Sequence, residues 1–246
     1  MGTKMGWSRE NAANAYLDTL KLRSREMGKK SKSLESQKSV EPEGNEFISA
    51  LAAGMGAKLI VEVSPEPSQS TVALAAAARQ TGGRLICILP EEAAGTSAKE
   101  VIEESGLEDR VEYKVGDPYQ LLPEYENIDF SLVDCKADSY TDLLKLLDVN
   151  PQRAVVVANR LEDGKEGLRG DVRGLSSHKG HVIRSLKRPI GEGMEVTVIG
   201  KIDDSGTGSS KQQRKVPAKH QRRKSKWVRE IDEHGEEHIY RLPMSL

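Results

Sequence analysis

The stretch KLIVEVSPEPSQSTVALAAAARQTGGRLICILP, residues 58–90, decides the fold. Its opening, 58–63, is an apolar, β-branched run cut off by Ser64-Pro65-Glu66-Pro67, and reads as a buried strand entering a sharp loop. STVALAAAAR, residues 70–79, is built from strong helix formers and is stopped by Gly82-Gly83. RLICIL, residues 84–89, is a second buried strand ended by Pro90. Neither strand alternates polar with apolar residues, so both faces of each must be covered, as in a parallel sheet flanked by helices.

Downstream the alternation continues. Residues 97–105 read as a helix with an acidic face, 110–115 as a strand, and Tyr119 opens a short helix. IDFSLV, 128–133, is a strand with Asp134 at its C-terminal end; 139–147 is a helix and AVVVA, 154–158, a fifth apolar strand. Residues 181–187 and 195–201 form a strand pair around Pro189-Ile190-Gly191-Glu192-Gly193. Upstream, Ser8 can cap a helix over 8–25, with Ala12, Ala15, Tyr16, Leu20 and Leu22 on its apolar face. The pattern predicts the α/β class, with a mostly parallel sheet and an antiparallel C-terminal edge. Ligands in that architecture bind beyond the carboxyl ends of the strands. Residues 64–70, 89–92 and 134–140 are therefore expected to converge.

Composition narrows the class. The 246 residues include only ten Phe, Trp and Tyr, so the core is aliphatic. No apolar run approaches the roughly 18 residues of a membrane span, and no apolar leader opens the chain. Cys87 and Cys135 read as small core residues of a reducing compartment, which implies a cytoplasmic or nuclear protein. The net charge of −1 hides segregation: from Lys211 to Arg229 there are nine Lys/Arg and no Asp/Glu. The expected organisation is an N-terminal helix and polar linker (1–45), an α/β domain (46–201), a basic linker (202–223) and a C-terminal β-hairpin (224–246). The basic run reads either as a solvated segment or as a surface for an acidic protein or nucleic acid.

Asp134 is the leading chemical candidate, because a carboxylate at the end of a central strand can hold a divalent metal or accept a proton. Its competing role is a cap or a partner of loop N–H groups. Ser68, Ser70 and Thr71 open the first helix of the sheet, where free amides hold anions unless the helix caps itself. No G-x-G-x-x-G or phosphate-loop sequence follows the first strand. His178 and His181 have no third ligand in sight, and no serine sits on a nucleophile elbow.

These motifs resemble class I S-adenosylmethionine-dependent methyltransferases, of the cation-dependent type that acts on caffeoyl-coenzyme A. PEGNEFISAL (42–51), Val61-Glu62-Val63 followed by Ser70-Thr71, Asp129-Phe130-Ser131-Leu132-Val133-Asp134 with Tyr140, and Pro189-Ile190-Gly191-Glu192-Gly193 are similar to that group's motifs in order and spacing. The whole chain, from Trp7-Ser8-Arg9-Glu10 to Trp227 and Gly235-Glu236-Glu237-His238, resembles a plant family catalogued as domain of unknown function 1442 and described as methyltransferase-like.

The resemblance implies a Rossmann-like methyltransferase fold and S-adenosylmethionine as cofactor, with cofactor contacts at Glu62, Ser64, Ser68, Ser70, Glu91, Asp117 and Lys136. It implies Asp134 and Asn159 on the acceptor side, as catalytic and remaining metal-ligand residues. The chain departs from the pattern at informative places. The cofactor-loop glycines fall at Ser64 and Ser68, among Pro65 and Pro67; the ribose-binding acid falls at Leu89; and Lys136, Ala137 and Ala158 replace an Asp, a Lys and a metal-binding Asp. A divalent metal is thus not expected to be retained. Two functions follow: O-methyl transfer to a small molecule, or a catalytically degenerate methyltransferase fold serving as a binding or scaffold protein through its basic tail.

Overall fold

The structure is a computed structural model and describes residues 7–30, 44–91, 97–134, 140–160, 181–188, 193–201, 225–231 and 237–243. By contacts the chain divides into Met1–Ile202 and Asp203–Leu246.

In the first unit a seven-stranded sheet has the order β3-β2-β1-β4-β5-β7-β6. Its strands are β1 (Leu59–Val63), β2 (Arg84–Leu89), β3 (Val111–Val115), β4 (Phe130–Asp134), β5 (Arg153–Asn159), β6 (His181–Arg188) and β7 (Met194–Lys201). β1 to β5 pair in parallel, while β7 runs antiparallel to both β5 and β6. The expected parallel sheet and antiparallel edge are what the chain forms.

The helices are α1 (Arg9–Lys30), α2 (Gly44–Gly54), α3 (Gln69–Thr81), α4 (Ser97–Glu104), α5 (Pro118–Leu121) and α6 (Tyr140–Leu143). Side chains alternate across the pleat and divide the core in two. Ile60, Leu85, Phe130, Leu132, Val155 and Val157 pack with apolar residues of α1 to α4. Val61, Val63, Ile86, Ile88, Val133 and Val156 pack with Leu122, Leu143, Leu144 and Leu147. This two-sided burial is why the central strands show no alternation in sequence.

Local chemistry sets the boundaries. Gly82 caps α3 at φ +63, and Gly83 lies so close to β1 that a Cβ would meet the Ala57 and Lys58 carbonyl oxygens at 2.7 Å. At the amino-terminal rim Asp129 ties three segments: its carboxylate accepts from the Lys58 and Leu59 amides at 2.8 and 3.1 Å and from the Asn150 side chain at 2.8 Å.

Two elements differ from the sequence reading. The helix expected over 139–147 is a single α-turn, α6, followed by a 3-10 turn at Leu144–Leu146. Residues 44–54, to which the pattern assigned no element, form α2, packed on α1 and α3. Its buried positions include Glu46 and Ser49, so polar residues interrupt the apolar period. The buried stripe of α1 likewise contains Thr19 and Arg23 beside Ala15 and Leu22. Ser8 accepts from the Asn11 amide at 3.2 Å, the expected cap. Arg23 and Glu46 form an ion pair of 3.2 Å with both side chains almost fully buried. Breaking a buried pair leaves a charge without compensation.

The second unit contains an antiparallel pair, β8 (Ser225–Ile231) and β9 (Glu237–Pro243), where the hairpin was expected. Most of the basic run, 211–224, lies outside the described residues. Among those described, no helix is long and apolar enough to cross a membrane.

Replacing Glu46 by Ala is expected to destabilise the protein by about 3–5 kcal/mol, read from urea denaturation midpoints. The double change Arg23→Met with Glu46→Leu should recover most of that loss. A double variant as unstable as the single one would show that the pair does more than neutralise itself.

Candidate functional site

The parallel strands end along one rim. Val63 of β1 lies in register with Ile88 and Val133, Leu89 with Val115, and Asp134 with Asn159, which pairs onward with Met194. Just beyond β1, the Ser64 amide donates to the Ile88 carbonyl at 3.2 Å. Ser64, Leu89, Asp134 and Asn159 thus stand side by side. The chain leaves β1 toward β2 on one side, while β4 lies on the other, so this is a switch point.

The loop after β1 closes on itself. The Ser64 hydroxyl donates to the Glu66 carbonyl at 3.1 Å. Ser68 caps α3 in a reciprocal box, its own amide donating to the Thr71 hydroxyl at 2.9 Å. Pro65 and Pro67 contribute no N–H at all. The first turn of α3 therefore engages its amides with its own serine and threonine side chains, the capping role rather than the open anion cradle.

Beneath the loop, Glu62 is fully buried on β1. Ser70 donates its hydroxyl to the Glu62 carboxyl, and the Ser68 and Ser70 hydroxyls lie 2.9 Å apart, so a short relay runs inward from the loop. The Cys87 thiol donates to Glu62 Oε2 at 3.6 Å. Register aligns Glu62, Cys87 and Tyr113 across three strands. Burial pushes Glu62 above the usual carboxylate range, opposed by hydrogen bonds from Ser70, Thr71 and Cys87 and by the charge of Arg160. Burial, and then the neighbouring Glu62, pushes the Cys87 thiol well up, and burial raises the Tyr113 phenol. Cys87 is thereby a buried thiol and a poor nucleophile.

On β4, Asp134 is 2 % exposed and is gripped along one edge by Arg160. Nε donates to Oδ1 at 2.8 Å and Nη2 donates to Oδ2. Arg160 directly follows β5 and has φ +54, a left-handed conformation that costs a non-glycine residue about 1 kcal/mol and persists only where surrounding contacts enforce it. Asn159 beside it is half-buried. A divalent ion does not fit this arrangement. Asp134 is committed to a guanidinium, Ala158 has no donor, and among the described residues no three His, Cys, Asp or Glu side chains are grouped to hold a metal.

The other candidates spread along the rim. Leu89 is buried, Glu91 two residues later is exposed, and the Asp117 side chain caps α5 by accepting from the Tyr119 amide at 3.0 Å. Lys136, Ala137, Glu92, Cys135 and His178 lie outside the described residues. Sequence reasoning brought Asp134 and Asn159 together but missed Arg160. A lone arginine after a strand carries no motif, and its partner is set by the pairing of β4 with β5.

Glu62 leaves a pH signature. With its folded value raised, the unfolded chain gives up the proton first, so Glu62 lowers stability as pH climbs from the ordinary carboxylate range toward its folded value. Glu62→Gln has no such proton to lose. Its stability relative to the native protein should therefore improve between pH 5 and pH 8 in urea titrations. A constant gap would mean that Glu62 is not protonated in the folded state.

A methyltransferase from Geobacter sulfurreducens superposes with a TM-score of 0.50 at 18% identity, covering 74% of this chain and 88% of that one. The SAH-bound Podospora anserina methyltransferase PaMTH1 gives 0.49 at 18% identity, with 82% and 100% covered. A Bacillus cereus O-methyltransferase in complex with SAH gives 0.47 at 19%, with 75% and 91% covered. At such identity the first likeness establishes the fold alone, which is methyltransferase-like. None of the curated proteins matches the chain. The family described as protein of unknown function (DUF1442) matches residues 3–242, nearly the entire sequence, and the chain belongs to that family.

Proposed function

We propose that this protein is an S-adenosylmethionine-dependent methyltransferase that acts on an oxygen of a small molecule. The observation that carries the reading is the strand order β3-β2-β1-β4-β5-β7-β6 with β7 reversed, which gathers Ser64, Leu89, Asp134 and Asn159 on one rim. The fold shared with the Geobacter methyltransferase supports it.

The rim suits a side-chain-held cofactor better than one cradled by backbone, since the Ser64–Pro67 loop has two prolines and a self-capped helix start. Glu91, exposed just past β2, would accept from ribose hydroxyls in place of the buried Leu89. Asp117 stands past the end of β3, where the Gly116 amide donates to the Leu89 carbonyl at 2.9 Å and draws the chain toward β2. Ser68, Ser70 and Glu62 would support the loop from beneath through their relay, and Lys136, two residues after Asp134 in sequence, would add positive charge. When bound, the cofactor would supply an electrophilic methyl group on a sulfonium. Asp134 and Asn159 would form the acceptor side, Asp134 by fixing Arg160 and Asn159 by offering its carboxamide to orient the acceptor. The reading assigns the reaction to the cytoplasm or nucleus, from the thiol chemistry of Cys87 and Cys135.

Titration calorimetry with S-adenosylmethionine and S-adenosylhomocysteine is expected to show binding in the micromolar range, with thermal stabilisation that grows with ligand concentration. Excess EDTA should leave both unchanged. Absence of heat and of any shift in Tm at millimolar cofactor would refute the proposal.

A further inference from the structure

The guanidinium of Arg160 has two edges that can each form a parallel pair of hydrogen bonds. Asp134 occupies the Nε/Nη2 edge. The end-on edge, with one Nη1 hydrogen and the second Nη2 hydrogen, meets no acceptor among the described residues. The Arg160 side chain is 30 % exposed while Asp134 is 2 % exposed. The carboxylate is thus sealed beneath and the arginine opens toward solvent. Asp134 also removes most of the rotational freedom that a surface arginine would lose on binding a ligand. Arg160 leaves the end of β5, its partner ends β4, and its charge is felt by Glu62 on β1. It therefore lies at the switch point and not at the β6–β7 edge.

We infer that the Asp134–Arg160 pair is a preorganised carboxylate-binding site on this rim, with Arg160 receiving a ligand carboxylate on its open Nη1/Nη2 edge. The geometry of that edge matches the two oxygens of a carboxylate, and an amide offers only one acceptor there. A lysine at this position would keep the charge but lose the fork. The inference rests on the methyltransferase reading only in identifying the ligand: the carboxylate belongs either to the methionyl part of the cofactor or to the acceptor.

Two ligand pairs separate these sources in the full-length protein. S-adenosylhomocysteine is compared with 5′-methylthioadenosine, which lacks the amino-carboxylate, by calorimetry. Benzoate is compared with benzamide by ligand-observed NMR. The native protein should prefer the carboxylate member of at least one pair by about tenfold. Arg160→Lys, which keeps the charge but not the fork, should weaken that preference severalfold while retaining native circular dichroism, and the charge-neutral double variant D134N with R160Q should abolish it. Loss confined to the first pair assigns the site to the cofactor; loss confined to the second assigns it to the acceptor. If neither adenosine compound binds but the benzoate preference is present and depends on Arg160, the methyltransferase reading fails and the carboxylate site stands. No carboxylate preference in either pair, or a preference unchanged in a folded Arg160 variant, overturns the inference.

Discussion

Burial of both faces of β1 and β4 is the constraint from which the rest of the molecule follows. A strand with no solvent face must be flanked by helices on each side, and the parallel pairing of β1 with β2 and β4 meets that demand. Parallel strands end together, so the residues that follow them collect on one rim. The site is a consequence of how the apolar surface is hidden and needs no separate organising contact. The Asp129 hydrogen bonds stitch the opposite rim, which leaves the carboxyl ends for function.

Two buried acids at this rim meet opposite fates. Glu62 lies one strand away from Asp134, yet it is surrounded by hydroxyls and a thiol, and burial pushes it toward its neutral form. Asp134 has a guanidinium along one full edge. The difference is one of partner chemistry. A neutral donor compensates a buried carboxylate only in part, whereas a bidentate arginine supplies both charge and paired hydrogen bonds. Asp134, which the resemblance would make a metal ligand, is instead one half of an internal ion pair with Arg160. The rim carries its positive charge on a side chain.

Much of the architecture is legible in the residue order. The β-branched runs, the prolines that end them and Gly82-Gly83 mark strands and breaks through local sterics, and those signals do not depend on distant partners. The helix α2 was hidden because Glu46 and Ser49 face inward, and inward polar residues make sense only once Arg23 of α1 and the Ala15 carbonyl are brought against them. The break in the 139–147 segment, which becomes one α-turn and a 3-10 turn, has no local breaker to announce it.

The site divides in the same way. Sequence alone determined that Ser64, Leu89, Asp134 and Asn159 lie at the carboxyl ends of four strands of one α/β sheet, because strand ends are written in local composition. Tertiary structure alone decided that Asp134 belongs to Arg160, 26 residues later, and that Glu62 shares its burial with Cys87 and Ser70. Such pairings depend on strand register and on which face of the pleat a residue occupies. A shift of one residue would turn these side chains to the other face and dissolve each contact, and nothing local in the chain encodes the partner.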